Sequence, residues 1–261
     1  MKTLMIKIHW FLTSQMGIDL IRFIKSFPGF FKFFKDYFLF RKKYSGRIDI
    51  KPCLHDWNEE SGVSNGEYFW QDLLVARMIF KNNPDTHIDI GSRIDGFVAH
   101  VASFREIEVL DIRENTAKIP GVKFIKQDVV TGDNAANESC DSISCLHALE
   151  HFGLGRYGDP IDVNGYQKGL SNISKMLKSN GTLYLSIPVG VERVEFNANR
   201  VFNPTKIVKY AHINKLELSG VTIIQNDGKH KVATNIDEMN ELLSQAANIQ
   251  YSLCVYTFYK T

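Results

Sequence analysis

The chain has 261 residues, of which 44% are hydrophobic and 23% charged. At about 100–200 residues per domain, this supports one large or two small domains with a buried core, and excludes a collagen-like repeat, a long disordered chain and a disulfide-stapled miniprotein. The net charge of +2 hides a split: residues 1–44 hold nine Lys/Arg against two Asp, a net +7, and nine of the 18 Phe, whereas the remainder carries a net −5. A uniformly basic nucleic-acid binder does not fit, so no nucleic-acid partner is expected.

Cys53, Cys140, Cys145 and Cys254 form no C-x-x-C pair, which points to a reducing, cytoplasmic compartment and gives no zinc ribbon. The first seven residues resemble the n-region of a signal, but Lys7 and His9 break the apolar stretch and no small-x-small cleavage site follows. No run reaches ~18 uncharged apolar residues, so no single helix is expected to span a membrane.

In chain order, the basic arm comes first. Phe27, Phe30, Phe31, Phe34 and Phe38 step at helical spacing, bordered by Lys32, Lys35, Arg41, Lys42 and Lys43. Pro28 is expected to open this helix, because Pro is tolerated in a first turn. Basic residues with Phe and Trp10 are the composition of an interfacial helix, which would place residues 1–44 at the inner face of an anionic membrane. The Phe residues also run around much of the helix, which favours burial against the body or against a second copy in a homodimer. The expected division is an arm over 1–45, a linker and packing helix over 46–83, with the helix at about 67–82, and an α/β domain over 84–261.

From Thr86 onward, short apolar runs alternate with helical stretches. Strands are expected at 86–90, 106–112, 122–127, 139–146, 182–188, 216–225 and 250–259. Helices are expected at 97–104, 166–178 (stopped by a cap at Asn180-Gly181), 206–213 and 236–247. This alternation predicts an α/β fold: a doubly wound, Rossmann-like, seven-stranded and mostly parallel sheet with helices on both faces, plus the N-terminal helical arm.

The first strand runs into Asp89-Ile90-Gly91-Ser92-Arg93-Ile94-Asp95-Gly96. Gly91 allows a sharp turn and close approach of a ligand. Asp89 stands where a nicotinamide fingerprint has an apolar residue. Asp111 ends strand two, placed to accept bonds from both ribose hydroxyls, and Asp128 follows strand three. A core strand with an ordinary glycine turn is the plainer alternative.

This arrangement resembles the class I S-adenosylmethionine-dependent methyltransferases over about residues 84–260. The resemblance implies S-adenosylmethionine as cofactor, with Asp89, Gly91, Ser92, Arg93 and Gly96 shaping the methionine end. It places Asp111 with Ile112 at the ribose and Asp128 with Val129 at the adenine. The chain departs from G-x-G-x-G: Arg93 and Asp95 replace the second and third Gly, and Gly96 comes one place late. Residues 88–100 and 146–159 resemble a methyltransferase-like family of unknown function whose bacterial members are associated with surface-polysaccharide synthesis. That resemblance implies a glycan or sugar-nucleotide substrate, lipid-linked forms included.

His147-Ala148-Leu149-Glu150-His151 follows strand four and matches H-x-x-E-H, an inverted zinc-protease pattern that would also need a further acidic ligand. No metal is assigned, because the segment sits at a strand's carboxyl end, in the crevice where doubly wound folds bind small ligands. The preferred reading is an acid/base site. Methyl transfer from a sulfonium mainly needs orientation, and a sugar hydroxyl needs a base within hydrogen-bond reach. His147 suits that role, with an ordinary pKa of about 6.5; Glu150 and His151 would be its helical neighbours. A structural role for the segment is the alternative.

Loop 152–165 offers Arg156, Tyr157 and Asp159 to read the substrate, or is a solvated connection. In loop 192–200, Arg193 and Arg200 either meet a sugar phosphate or provide surface charge. Together these features predict a methyltransferase acting on a sugar hydroxyl during surface-glycan assembly. The rivals are a nucleotide-sugar or NAD-using enzyme and a non-catalytic scaffold that kept the fold.

Overall fold

A computed structural model of the chain describes residues 2–55, 57, 62, 64, 66–132, 137–225 and 227–261. The chain divides into two units, Met1–Val63 and Ser64–Thr261.

The first unit carries α1 (Lys2–Met16) and α2 (Leu20–Arg41). Gly17, at φ +68°, turns the chain out of α1. The Asp19 carboxylate then accepts from the Arg22 amide at 2.8 Å and caps α2. Pro28 therefore lies inside α2 rather than opening it, because Asp19 has already capped an earlier start. The proline forfeits one backbone hydrogen bond there. Among the described residues of α2 only Gly29 is buried; a Cβ at that position would overlap the Leu54 carbonyl. Most aromatic residues of α2 face outward, with Phe31 80% exposed and Phe23, Phe27, Phe34 and Phe38 all at least half exposed, while Phe33 and Tyr37 are partly buried. No helix among the described residues is long and apolar enough to cross a membrane.

The second unit begins with α3 (Glu67–Asn82) and β1 (His87–Ile90). A π-helical turn (Ile94–Val98) leads into the short α4 (Ala99–Ala102). β2 (Ile107–Asp111), β3 (Val122–Lys126) and β4 (Cys140–Leu146) follow, then a single tight turn of helix at Leu149–His151. The chain continues through α5 (Gly165–Met176), β5 (Leu177–Val189), a small hairpin of β6 (Arg193–Glu195) and β7 (Asn199–Val201), and α6 (Pro204–Ile213). It closes with β8 (Leu216–Ile224), β9 (His230–Ala233), α7 (Ile236–Ala247) and β10 (Ser252–Lys260).

The main sheet runs β3-β2-β1-β4-β5-β10-β8-β9. Its first five strands are parallel, and β10, β8 and β9 add antiparallel pairs at the other edge. The expected doubly wound sheet is present with eight strands rather than seven. The extra strand, β9, buries only Ala233, so it carries no hydrophobic alternation to read. Asn180-Gly181 lies within β5, where the pairing with β4 shifts register. Asn180 adopts φ +65° there, so the pair serves a bulge instead of a helix cap.

Apolar residues cover both faces of the sheet. Ile88, Ile143, Leu183 and Leu185 pack with Leu170 and Ile173 of α5, Ile207 of α6 and Leu243 of α7. On the opposite face Val109, Leu146 and Val255 meet Val75 and Ile79 of α3 and Phe97 and Val101 beside β1. Burying each such side chain contributes roughly 1.5–3 kcal/mol. The chain leaves β1 toward β2 on one side, while β4 pairs with β1 on the other. The loops part at this reversal, and doubly wound folds bind ligands in the crevice so formed.

Candidate active site

β1 is buried on both faces, yet two of its four residues are polar. His87 and Asp89 face Ser142 and Ser144 of β4 and form a directed chain. Ser144 Oγ donates to Asp89 Oδ1 at 2.6 Å, which leaves its oxygen to accept from His87 Nε2 at 3.1 Å. His87 Nδ1 is then the acceptor for Ser142 Oγ at 2.8 Å. A neutral imidazole satisfies every member, and burial pushes the His87 pKa down to about 3. Asp89 also accepts from the Ser92 amide at 3.0 Å and the Ser92 hydroxyl at 2.7 Å. Burial raises Asp89 to about 6, with the bonds from Ser144 and Ser92 opposing. Asp89 thus holds the turn from beneath and borders neither cavity described below. Gly91 needs its φ of +71° to make that turn. At the late Gly96, α3 presses close, since a Cβ there would overlap the Asp72 carboxylate.

Above this turn lie two adjoining cavities. The first, about 560 Å³, is bordered by Gly91, Asp111, Ile112, Asp128 and Val129. Arg113 folds back on Asp111, donating from its amide (2.8 Å), Nε (2.9 Å) and Nη2 (2.7 Å), and its guanidinium lies 4.5 Å from the centre of the Tyr157 ring. A carboxylate offers about four acceptor positions, so Asp111 keeps one for a ligand. Asp128 Oδ1 accepts from the Val130 amide at 2.8 Å.

The second cavity, about 780 Å³, shares Gly91, His147, His151 and Tyr157 with the first and adds Ser92 and Arg93. His147 leaves β4 in a left-handed conformation, φ +52°. Its Nδ1 donates to Glu150 Oε1 at 2.8 Å, its Nε2 lies 3.6 Å from Glu67 Oε1, and its ring stacks on Tyr68 at 4.3 Å. Burial alone would lower the His147 pKa. The hydrogen bond and charge of Glu150, with Glu67 and Asp72 beyond, outweigh it and raise the value. In the neutral ring the proton on Nδ1 leaves the Nε2 lone pair facing the cavity. Tyr251 donates its hydroxyl to Glu67 Oε1 at 2.6 Å. Burial pushes Tyr68 up to about 12, aided by the Glu150 and Glu67 charges.

His151 takes a different part. Its Nδ1 donates to Ala198 O at 2.7 Å, and burial lowers its pKa. Arg156 donates to the same carbonyl at 2.8 Å. Asp159 borders the first cavity and accepts from the Gly153, Gly155 and Tyr157 amides. Loop 152–165 is therefore stapled, and it holds Tyr157 over both cavities. Arg193 and Arg200 border neither. Arg193 binds Glu195 and the Val191 and Gln250 carbonyls. Arg200 is buried, donating to Glu150 O and Phe152 O, so its guanidinium clamps the tight turn after β4. No group of His, Cys, Asp and Glu with the makings of a metal site occurs among the described residues.

The α3 residues Glu67, Tyr68, Gln71 and Asp72, together with Tyr251, complete the second cavity and escape the sequence reading. One signal was available: Asp72 sits on the same helical face as the buried Val75, Ala76 and Ile79, and a carboxylate in an apolar stripe needs a reason. Burial raises its pKa, with Gln71 opposing through a hydrogen bond.

The fold is shared with solved structures. The 1,6-didemethyltoxoflavin-N1-methyltransferase of Burkholderia thailandensis, solved with 1,6-didemethyltoxoflavin and S-adenosylhomocysteine, aligns with a TM-score of 0.52 at 14% identity, over 73% of this chain and 78% of that one. The [4+2]-cyclase SpnF aligns with a TM-score of 0.51 at 12% identity, over 72% and 80%. At these identities the likeness establishes the fold, and the two neighbours differ in the chemistry their names describe. No curated protein matches in sequence. Residues 99–240 match a family model, and the chain belongs to that family, described as Caenorhabditis protein of unknown function, DUF268.

Proposed function

We propose that the chain is an S-adenosylmethionine-dependent methyltransferase that acts on a hydroxyl of a sugar-class acceptor. The observation that carries this reading is the pair of adjoining cavities at the β1/β4 reversal, one bordered by Asp111 and Asp128, the other by the His147–Glu150 pair. The first places carboxylates at the ends of neighbouring strands, at the position from which doubly wound folds hold a ribose. The B. thailandensis neighbour solved with S-adenosylhomocysteine supports the same cofactor. When bound, S-adenosylmethionine supplies a methyl group on a sulfonium.

The chain's own residues do the rest. Asp89 fixes the Gly91–Ser92 turn, and Asp111 and Asp128 would hold the nucleoside. His147 Nε2 takes the proton of the acceptor hydroxyl, while Glu150 holds the ring in the required tautomer and stabilises the imidazolium that forms. Tyr157 and its stapled loop shield both cavities from water. The description of the matched family names Caenorhabditis and adds nothing to a bacterial surface-glycan setting, which rests on the sequence resemblance alone.

Calorimetry on the full chain with S-adenosylmethionine, S-adenosylhomocysteine and NAD tests the cofactor. The first two should bind and NAD should not. Asp111→Ala should weaken S-adenosylhomocysteine about tenfold or more, the effect of losing hydrogen bonds to a charged group. Binding of NAD alone, or of none of the three, would overturn the reading. Methyl transfer itself is read as S-adenosylhomocysteine formed in the presence of sugar acceptors.

For residues 1–44 we propose attachment to an anionic lipid surface. The exposed aromatic side chains of α2 and its flanking Lys and Arg residues supply the apolar and cationic parts such attachment needs.

A further inference from the structure

We infer that the acceptor carries an amino group, held as an ammonium between Glu67 and Glu150; this rests on the methyltransferase reading for the transfer and on the second cavity alone for the amine. Among the described residues, six buried side-chain polar atoms lack any hydrogen-bond partner, and four of them belong to residues bordering this one cavity: Glu67 Oε2, Gln71 Oε1, His147 Nε2 and Glu150 Oε2. Glu150 and Gln71 are each 1% exposed. A buried polar group left unpaired costs about 1–3 kcal/mol. Four around a single cavity mark a place where a ligand supplies the partners.

Three of the four atoms can only accept, and the fourth, His147 Nε2, accepts in the neutral form of the ring that acts as base. Two are carboxylate oxygens. The Gln71 amide nitrogen is already given to Asp72 Oδ1 at 2.9 Å, so its oxygen is the free end. His147 uses Nδ1 to donate to Glu150, which leaves Nε2 as the acceptor of the neutral ring. A ligand that satisfies this set must donate, and hydroxyls or an ammonium do so.

Charge decides between them. The cavity wall carries the carboxylates of Glu67, Asp72 and Glu150, the last two buried and the first with its side chain 14% exposed. Three guanidiniums also border it, each turned to a partner: Arg93 pairs with Asp95 and Arg113 with Asp111, both at 2.7 Å, and Arg156 donates to the Ala198 carbonyl. A phosphate or carboxylate on the acceptor would instead meet like charge, which discriminates against sugar phosphates and sugar nucleotides. An ammonium has no lone pair to attack with, so it serves recognition and the neighbouring hydroxyl remains the nucleophile.

The test is calorimetry at pH 7 on the full chain with S-adenosylhomocysteine present, comparing glucosamine, glucose, N-acetylglucosamine and glucose 6-phosphate. Glucosamine should bind at least about tenfold more tightly than glucose or N-acetylglucosamine, as a hydrogen bond between charged groups requires, and glucose 6-phosphate should bind most weakly. Glu67→Gln should abolish the preference for glucosamine while S-adenosylhomocysteine still binds, the latter serving as a check on folding. No preference for glucosamine, glucose 6-phosphate binding as tightly, or no sugar bound at all would overturn the inference. If S-adenosylhomocysteine itself fails to bind, the methyltransferase reading falls instead, and the same sugar series on the cofactor-free chain still decides the amine.

Discussion

Replacing Glu150 by Gln preserves shape and removes one charge, which makes it the sharpest probe of His147. Glu150 Oε1 accepts from His147 Nδ1 at 2.8 Å, and the two side chains are 1% and 7% exposed, so solvent screens the pair little. A hydrogen bond to a charged group contributes about 1.5–3 kcal/mol, and here it favours the imidazolium over the neutral ring. Its loss should cut the proton affinity of His147 about tenfold or more, because the burial that opposes protonation remains. The assay is an NMR titration of the His147 ring resonances, assigned by comparison with His147→Gln. The Glu150→Gln midpoint should move to lower pH. Activity should follow: kcat/KM should begin to rise at lower pH but reach a lower plateau, because the base is weaker. Stability gives an independent reading. The native His147 pKa is raised above 6.5, so its contribution is fully present below that pH and is lost as pH rises through the folded value. Glu150→Gln should lack this loss. A titration midpoint that stays in place or rises would refute the reasoning.

Other outcomes follow from the geometry. Gly153 holds φ +77°, and a Cβ there would overlap the Asp162 carbonyl. Gly153→Ala should therefore cost about 1–3 kcal/mol, lowering Tm by about 2–4 °C per kcal/mol and loosening the loop that carries Tyr157. His87 stays neutral down to about pH 3 while its unfolded form protonates near 6.5, so it removes stability as pH falls from 6.5 toward 3. Relative to the native chain, His87→Gln should regain about 1.4 kcal/mol per pH unit across that window, read by urea unfolding at several pH values; parallel curves would refute it. Asp89, raised to about 6, acts in the opposite sense between 3.8 and 6. In liposome co-sedimentation the full chain should pellet with anionic vesicles, less so with added salt, and a chain lacking residues 1–44 should not. Equal pelleting would remove the lipid proposal for the arm.

Among the parallel strands, β1 and β4 were legible as short apolar runs that are largely buried, and β2 and β3 by their alternation with turn signals. What escaped lacked that imprint. β9 buries one residue of four, and β6 none. The start of α2 was set by Asp19, a single capping side chain, while the more visible Pro28 drew the boundary downstream. The same distinction divides the site. Asp111, Asp128 and His147 fall on the cavity walls because each ends a strand of the parallel sheet or follows one within two residues, so local sequence fixes their place. Glu67 and Tyr251 meet across 184 residues, and no periodicity within either segment encodes that meeting. The four unpartnered acceptors exist only as a set, which tertiary packing assembles from α3 and the turn after β4.

The left-handed backbone at His147 has a consequence for how this protein responds to selection. For an L residue that conformation costs about 1–2 kcal/mol, whereas glycine or asparagine adopts it readily. Glycine there would relieve that strain but forfeit the Glu150 hydrogen bond, which contributes about 1.5–3 kcal/mol, and leave a buried carboxylate without its partner, so stability and chemistry retain the same residue. Directed evolution toward heat tolerance should hold that position fixed.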